Sequence, residues 1–186
     1  MSEETARQLA AAEADESQQQ AAVDRLKQQV LDSVAEHLPY HIDQYAKELA
    51  QKQPAVTKTL GPDGLSALRK ELAGAAQNLG VVLKESAGKI AWEAHFEGVS
   101  YALAQFLGGS HLAPFNQTLR KYGYTIDTRE SVSAYDFFNS PQDQFVELDE
   151  QIRKLSQKRA AVKAAKKADD HDTVESIWED SSRGSI

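Results

Sequence analysis

A helical spacing of large apolar side chains between Ala87 and Phe106 limits what this chain can fold into more than any other feature. Trp92, Phe96, Val99, Leu103 and Phe106 recur at intervals of four, three, four and three. That spacing puts them on one side of a helix. Gly88, Ala91, His95, Gly98 and Ala102 form a second stripe of small residues beside the first, and Lys89, Glu93, Glu97 and Ser100 a polar third. A helix apolar over most of its girth has to be buried by neighbours on several sides. The spacing therefore predicts a central helix from about Gly88 to the Gly108-Gly109 stop, with other helices packed round it.

The remaining periodicities agree with an all-α fold. Val23, Leu26, Val30, Leu31, Val34 and Leu38 line one face as far as His37, where Pro39 is expected to end or kink the helix. Ile42, Tyr45, Ala46 and Leu49 continue a helical face to about Gln51, and Pro54 closes it. Gly61-Pro62-Asp63-Gly64 reads as a turn into a helix whose core face is Leu65, Leu68, Leu72, Leu79 and Leu83. Ala113 to Lys121 predicts a short helix. Tyr122 to Phe138 has no helical period and is rich in aromatics, so it is expected to lie as a strap over the bundle. Asn139-Ser140-Pro141 then opens the last long helix, with Phe145, Leu148, Ile152 and Leu155 on its apolar face.

Charge divides the chain further. The net charge is −7, but residues 141–168 hold seven bases against four acids, whereas residues 1–40 and 169–186 are acidic. Past Ser156 the bases spread round a helix that offers mostly alanine to bury, so this helix end is expected to leave the body and project into water. The expected organisation is an acidic flexible or helical arm (1–21), a bundle of four or five main helices (22–157), a projecting basic helix end (158–168) and an acidic disordered tail with a docking turn (169–186). The 186 residues contain no cysteine, which excludes disulfides and thiolate-ligated metals within the chain. No basic, apolar leader opens the sequence and no run approaches the ~20 apolar residues that span a bilayer, so the expected location is cytoplasmic, without membrane contact.

No catalytic or cofactor signature stands out. His95, with Gly98 and Ala102 in the small-residue stripe, would line a ligand pocket, but neither Glu93 nor Glu97 shares its helical face. A core-edge histidine bonded to a carbonyl accounts for it more simply. His37 and His41 have a spacing that can hold zinc on a helix, yet Pro39 interrupts the turn between them. The Glu-x-x-His pairs of a di-metal bundle are missing. Asp169-Asp170-His171-Asp172 is an acidic cluster without imposed geometry. No metal, cofactor or catalytic residue is therefore assigned.

Two features suggest partners. Arg153, Lys154, Lys158, Arg159, Lys163, Lys166 and Lys167 could track phosphates, which would show as steep salt dependence. They lack interleaved aromatics for base stacking. They could equally pair with the acidic ends, in cis or in trans. Val174, Ile177 and Trp178 share one face of a helical turn in an otherwise polar tail, which suits an anchor for a partner groove. The leading expectation is a non-enzymatic adaptor, chaperone-like or assembly factor, with coiled-coil self-association through 23–38 and 145–162. Nucleic-acid binding through the basic helix and a small helical enzyme or ligand-binding protein at His95 are the rivals.

Overall fold

The computed structural model describes residues 3–94, 97–108, 110–127 and 143–183. Among them are five helices and no strand, as the periodicities predict: α1 (Glu3–Lys52), α2 (Pro54–Lys84), α3 (Val99–Leu107), α4 (Ala113–Lys121) and α5 (Asp143–Arg183). The chain divides into two units. One is Leu26–Val146; the other joins the chain ends, Met1–Arg25 with Glu147–Ile186.

In the Leu26–Val146 unit, α1 and α2 run antiparallel. The Gln28 amide donates to the Lys84 carbonyl at one end, and the Arg69 guanidinium meets the Asp43 carboxylate at 3.0 Å further along. Of the two outcomes expected at Pro39, an end or a kink, the end does not occur, and α1 continues through it. Leu38 and Ile42, on either side of it, are fully buried. Burying two such side chains stabilises by about 1.5–3 kcal/mol each, enough to offset the ~3 kcal/mol that an internal proline costs. The α1–α2 corner is a single residue, Gln53. Its side-chain amide donates to the Thr125 carbonyl at 2.8 Å, and its amide oxygen accepts from the Thr125 N–H at 2.9 Å. α2 bends at Gly61, which takes φ 65° where Pro62 disfavours helical geometry in the residue before it.

The central helix is shorter than its spacing implies. Residues 85–94 form turns, and α3 starts only at Val99. Gly98 sits at φ 89°, a left-handed conformation that no right-handed helix can pass through. The Trp92 indole N–H donates to the Ala87 carbonyl at 2.9 Å, using the acceptor that the Ala91 N–H would take in a helix. Trp92 and Ile90 are nonetheless buried, as are Val99, Ala102, Leu103, Ala104 and Leu107. Trp92, Val99, Ala102 and Leu103 are thus buried as predicted, Trp92 from a turn, whereas Ala91 is exposed, Phe106 is half-buried and Phe96 lies outside the described residues.

α4 buries Phe115 and Leu119 and ends at Gly123, φ 96°. There the Gly123 N–H bonds the Arg120 carbonyl and the Tyr124 N–H bonds the Leu119 carbonyl, a Schellman stop. Tyr124 and Ile126 are buried on either side of exposed Thr125, in extended chain. The rest of the expected strap, 128–138, and the expected helix start Asn139-Ser140-Pro141 lie outside the described residues.

In the other unit, residues 3–25 of α1 and 147–183 of α5 run antiparallel. Asp15 meets Lys158 and Glu13 meets Lys166, while the Gln19 amide reaches the Gln151 side chain and carbonyl. Of the two forms expected for the arm, flexible or helical, it takes the helical one from Glu3, and α5 stays helical to Arg183 rather than ending in a disordered tail. Along the length that the two helices share, each supplies the other with charge of opposite sign and with a narrow seam to bury.

Candidate interaction surface

The seam shows in the pattern of burial. On α1 the sheltered positions Thr5, Leu9, Ala12, Glu16, Gln19 and Val23 recur at four and three. On α5 Leu148, Gln151, Leu155, Lys158, Val162, Ala165 and Asp169 recur at three and four. Leu148 and Leu155 are fully buried, and Val162 nearly so. The polar positions find each other: Gln19 Nε2 lies 2.8 Å from Gln151 Oε1, and Lys158 Nζ lies 2.6 Å from Asp15 Oδ2.

This pairing changes the reading of the basic stretch. Of its seven bases, Lys158, Arg159 and Lys166 meet Asp15, Glu16 and Glu13 of α1, and the Arg159 guanidinium also donates to the Gln20 side-chain oxygen at 2.8 Å. Lys154 pairs with Glu150 on its own helix, and that contact holds the Glu150 carboxyl below its ordinary range. The expectation that this helix end projects alone into water is therefore corrected: it lies along the acidic arm. Lys163, Lys167 and Arg153 stand on the side of α5 away from the seam and are exposed. Single exposed pairs contribute only ~0–1 kcal/mol each, so the buried leucines and valines hold the pair together and the charges choose its direction.

Beyond the seam, Val174, Ile177 and Trp178 are 53, 59 and 71 % exposed on one face of α5. The cis register of α1 against α5, in which Asp15 lies opposite Lys158, runs out at Glu3 near residue 170, so these three lie past the described end of α1. The self-association faces expected at 23–38 and 145–162 are already spent inside the chain. Val23, Val30, Leu31, Val34, Leu38, Phe145, Leu148, Leu155 and Val162 are all buried.

The other candidates gain little. His95 lies outside the described residues. Gly98 caps α3 and Ala102 is buried in the core. His37 Nδ1 lies 2.7 Å from the Ser33 carbonyl of its own helix. Burial, followed by the charge of His37, pushes the His41 imidazole below its ordinary value. Among the described residues no group of three or more histidines, aspartates or glutamates could hold a metal ion, and no helix is long and apolar enough to cross a membrane. Along α1 and α2, Pro39 is shared by two open depressions. Asp43, Arg69 and Lys70 line the first, and Asp32, Glu36, Gly80 and Val81 line the second. On α2, Glu71 accepts from the Tyr122 hydroxyl at 2.7 Å and from Lys121 at 2.9 Å, which holds its carboxyl low and ties α2 to the end of α4.

Sequence reasoning offered pairing of the basic helix with the acidic ends, in cis or in trans, as one alternative, but it missed the seam that lies between them. The signal was present, since the α1 seam keeps a heptad spacing from Thr5 to Val23. Ala12, Glu16 and Gln19 fill it with small or polar side chains, which hide it from a search for apolar stripes. No protein-family model, no curated protein and no solved structure matches this chain.

Proposed function

We infer that this is a non-enzymatic helical interaction protein, an adaptor, chaperone-like or assembly factor, whose contact element is the end of α5. The observation that carries the reading is the exposed turn of Val174, Ile177 and Trp178, held on a helix rather than on loose chain. Large side chains presented on a formed helix bind at lower entropic cost than the same residues in a flexible tail. The seam spacing supports reading the paired chain ends as an antiparallel coiled coil that presents this turn. A cysteine-free composition accords with a reducing, cytoplasmic setting.

A photoreactive p-benzoylphenylalanine placed at Trp178, in the cells that make the protein, tests this. A covalent adduct with one distinct protein is expected, absent when the probe replaces Lys70 on α2. No adduct at 178 above the Lys70 background would overturn the reading. Nucleic-acid binding retains Lys163 and Lys167 as bases that meet no α1 carboxylate. A gel shift at low and moderate salt separates that rival, and no retarded species at low salt removes it.

A further inference from the structure

We propose that the face of α5 turned away from α1 pairs with the same face of a second copy of this chain, the two helices antiparallel across residues 160–178. The proposal rests on the reading of the α5 end as a contact element, and names what it contacts.

The surface follows from helix geometry. With α1 covering the Leu148–Leu155–Val162 side, a turn of 100° per residue places Ala160, Lys163, Ala164, Lys167, His171, Val174 and Trp178 on the opposite side. All seven are exposed. Apart from Lys163, which lies at its edge beside Ala164, the stripe keeps intervals of four and three, as the seam does, so α5 carries two faces with the spacing of a helix-packing surface and α1 covers one of them.

Charge decides the occupant and its direction. From Arg153 to Lys167 the helix holds seven bases and no acid, and from Asp169 to Asp180 six acids and no base. Such a run complements itself only when reversed. Parallel copies would stack base on base and acid on acid, whereas antiparallel copies set the basic half of each against the acidic half of the other. α1 meets Lys158, Arg159 and Lys166 on the seam side and leaves Lys163 and Lys167 facing outward. Side-chain size agrees with charge. An antiparallel register centred near residue 169 sets Trp178 over Ala160 and Val174 beside Ala164 of the other copy, large on small, and brings Lys167 next to Asp170. Covering Trp178 and Val174 removes apolar surface from water, the term that drives most association. A contact about nineteen residues long gains about 28 Å of helix, and interfaces at the small end of the range belong to weak, reversible pairs.

The test uses the purified full chain. Sedimentation equilibrium from about 1 to 500 µM should show the mass rise from 20.5 kDa towards twice that value. Trp178→Ala and the Lys163→Glu, Lys167→Glu double variant should each weaken the association at least tenfold, with helix content by circular dichroism unchanged. A monomer at every concentration overturns the proposal, as does a dimer indifferent to both variants. Direction is read separately, and the cysteine-free chain makes this clean. Under oxidation, a mixture of Ala164→Cys and Val174→Cys chains should form the mixed disulfide in preference to either symmetric one. Preference for the symmetric products overturns the antiparallel arrangement. A monomer in vitro whose position 178 still crosslinks a different protein in cells would sink the pairing and leave the adaptor reading intact. A dimer whose position 178 crosslinks only to a second copy would support the pairing and keep α5 as a contact element, while removing the adaptor role.

Discussion

Gly123 shows how one residue fixes a local structure here. Its φ of 96° lets the Tyr124 N–H turn back to the Leu119 carbonyl, which stops α4 and points Tyr124 inward. Tyr124 is buried, and its hydroxyl lies 3.1 Å from the Thr57 hydroxyl near the start of α2. A Cβ at Gly123 would meet only Val56, at an ordinary 3.6 Å, so the cost of Gly123→Ala is conformational rather than steric. It should destabilise by about 1–2 kcal/mol, measured by urea unfolding, and lower the midpoint without changing the slope. Trp92 teaches the complementary lesson. Its burial was legible from its apolar neighbours, but its local structure was not. The indole bond to Ala87 and the left-handed Gly98 are decided by tertiary packing, and spacing alone carries no record of either.

At the scale of elements, α1 and α5 divide the work between apolar burial and charge. Leu155 is fully buried in the seam, whereas Lys158, three residues on, reaches Asp15 at a partly exposed site. Leu155→Ala should therefore cost about 2–5 kcal/mol, while Lys158→Ala should cost no more than about 1 kcal/mol. Hydrogen exchange of the Glu147–Ala168 amides would show the first loss as faster opening and the second as almost none. The periodicities of α2, α4 and the second half of α1 were readable because Leu68, Leu72, Leu83, Phe115, Leu119, Leu38 and Ile42 are large, regularly spaced and buried. The length of α1 was not readable. Pro39 argues locally for a break, and only the burial on both sides of it argues against one. The exposed apolar turn at Val174, Ile177 and Trp178 was visible as spacing, but the helix that carries it was hidden by an acidic, serine-bearing composition.

For the molecule as a whole, titration separates the two units. Asp43 and Glu71, the shifted carboxylates that tie one helix to another, and the shifted His41 all belong to Leu26–Val146. Burial, then the His37 charge, lowers the His41 pKa, so the folded state favours neutral His41. Its stabilisation is complete above the ordinary value of 6.5 and is lost as the pH falls through the lower folded value. The hydrogen bond from Lys47, joined by Arg69, depresses Asp43, and those from Tyr122 and Lys121 depress Glu71. Both carboxylates stabilise above their ordinary values of 3.8 and 4.5, and lose that contribution as they are protonated. The melting temperature should begin to fall as the pH drops below 6.5, then fall further below 4.5. His41→Gln should abolish the first phase and leave the second. A melting curve insensitive to pH between 6.5 and 4.5 in the parent protein would contradict this order.

The pairing of Asp15 with Lys158 spans 143 residues, and that separation has a consequence in time. During synthesis the acidic N-terminal part of α1 emerges before its partner and waits, its seam facing water, while the Leu26–Val146 unit is still being made. No complementary strip reaches it until the ribosome has released Lys158. At ordinary elongation rates of about 5–20 residues per second that delay lasts on the order of ten seconds. A truncated product lacking α5 would carry the same unsatisfied surface permanently, and would be a natural substrate for chaperones and proteases.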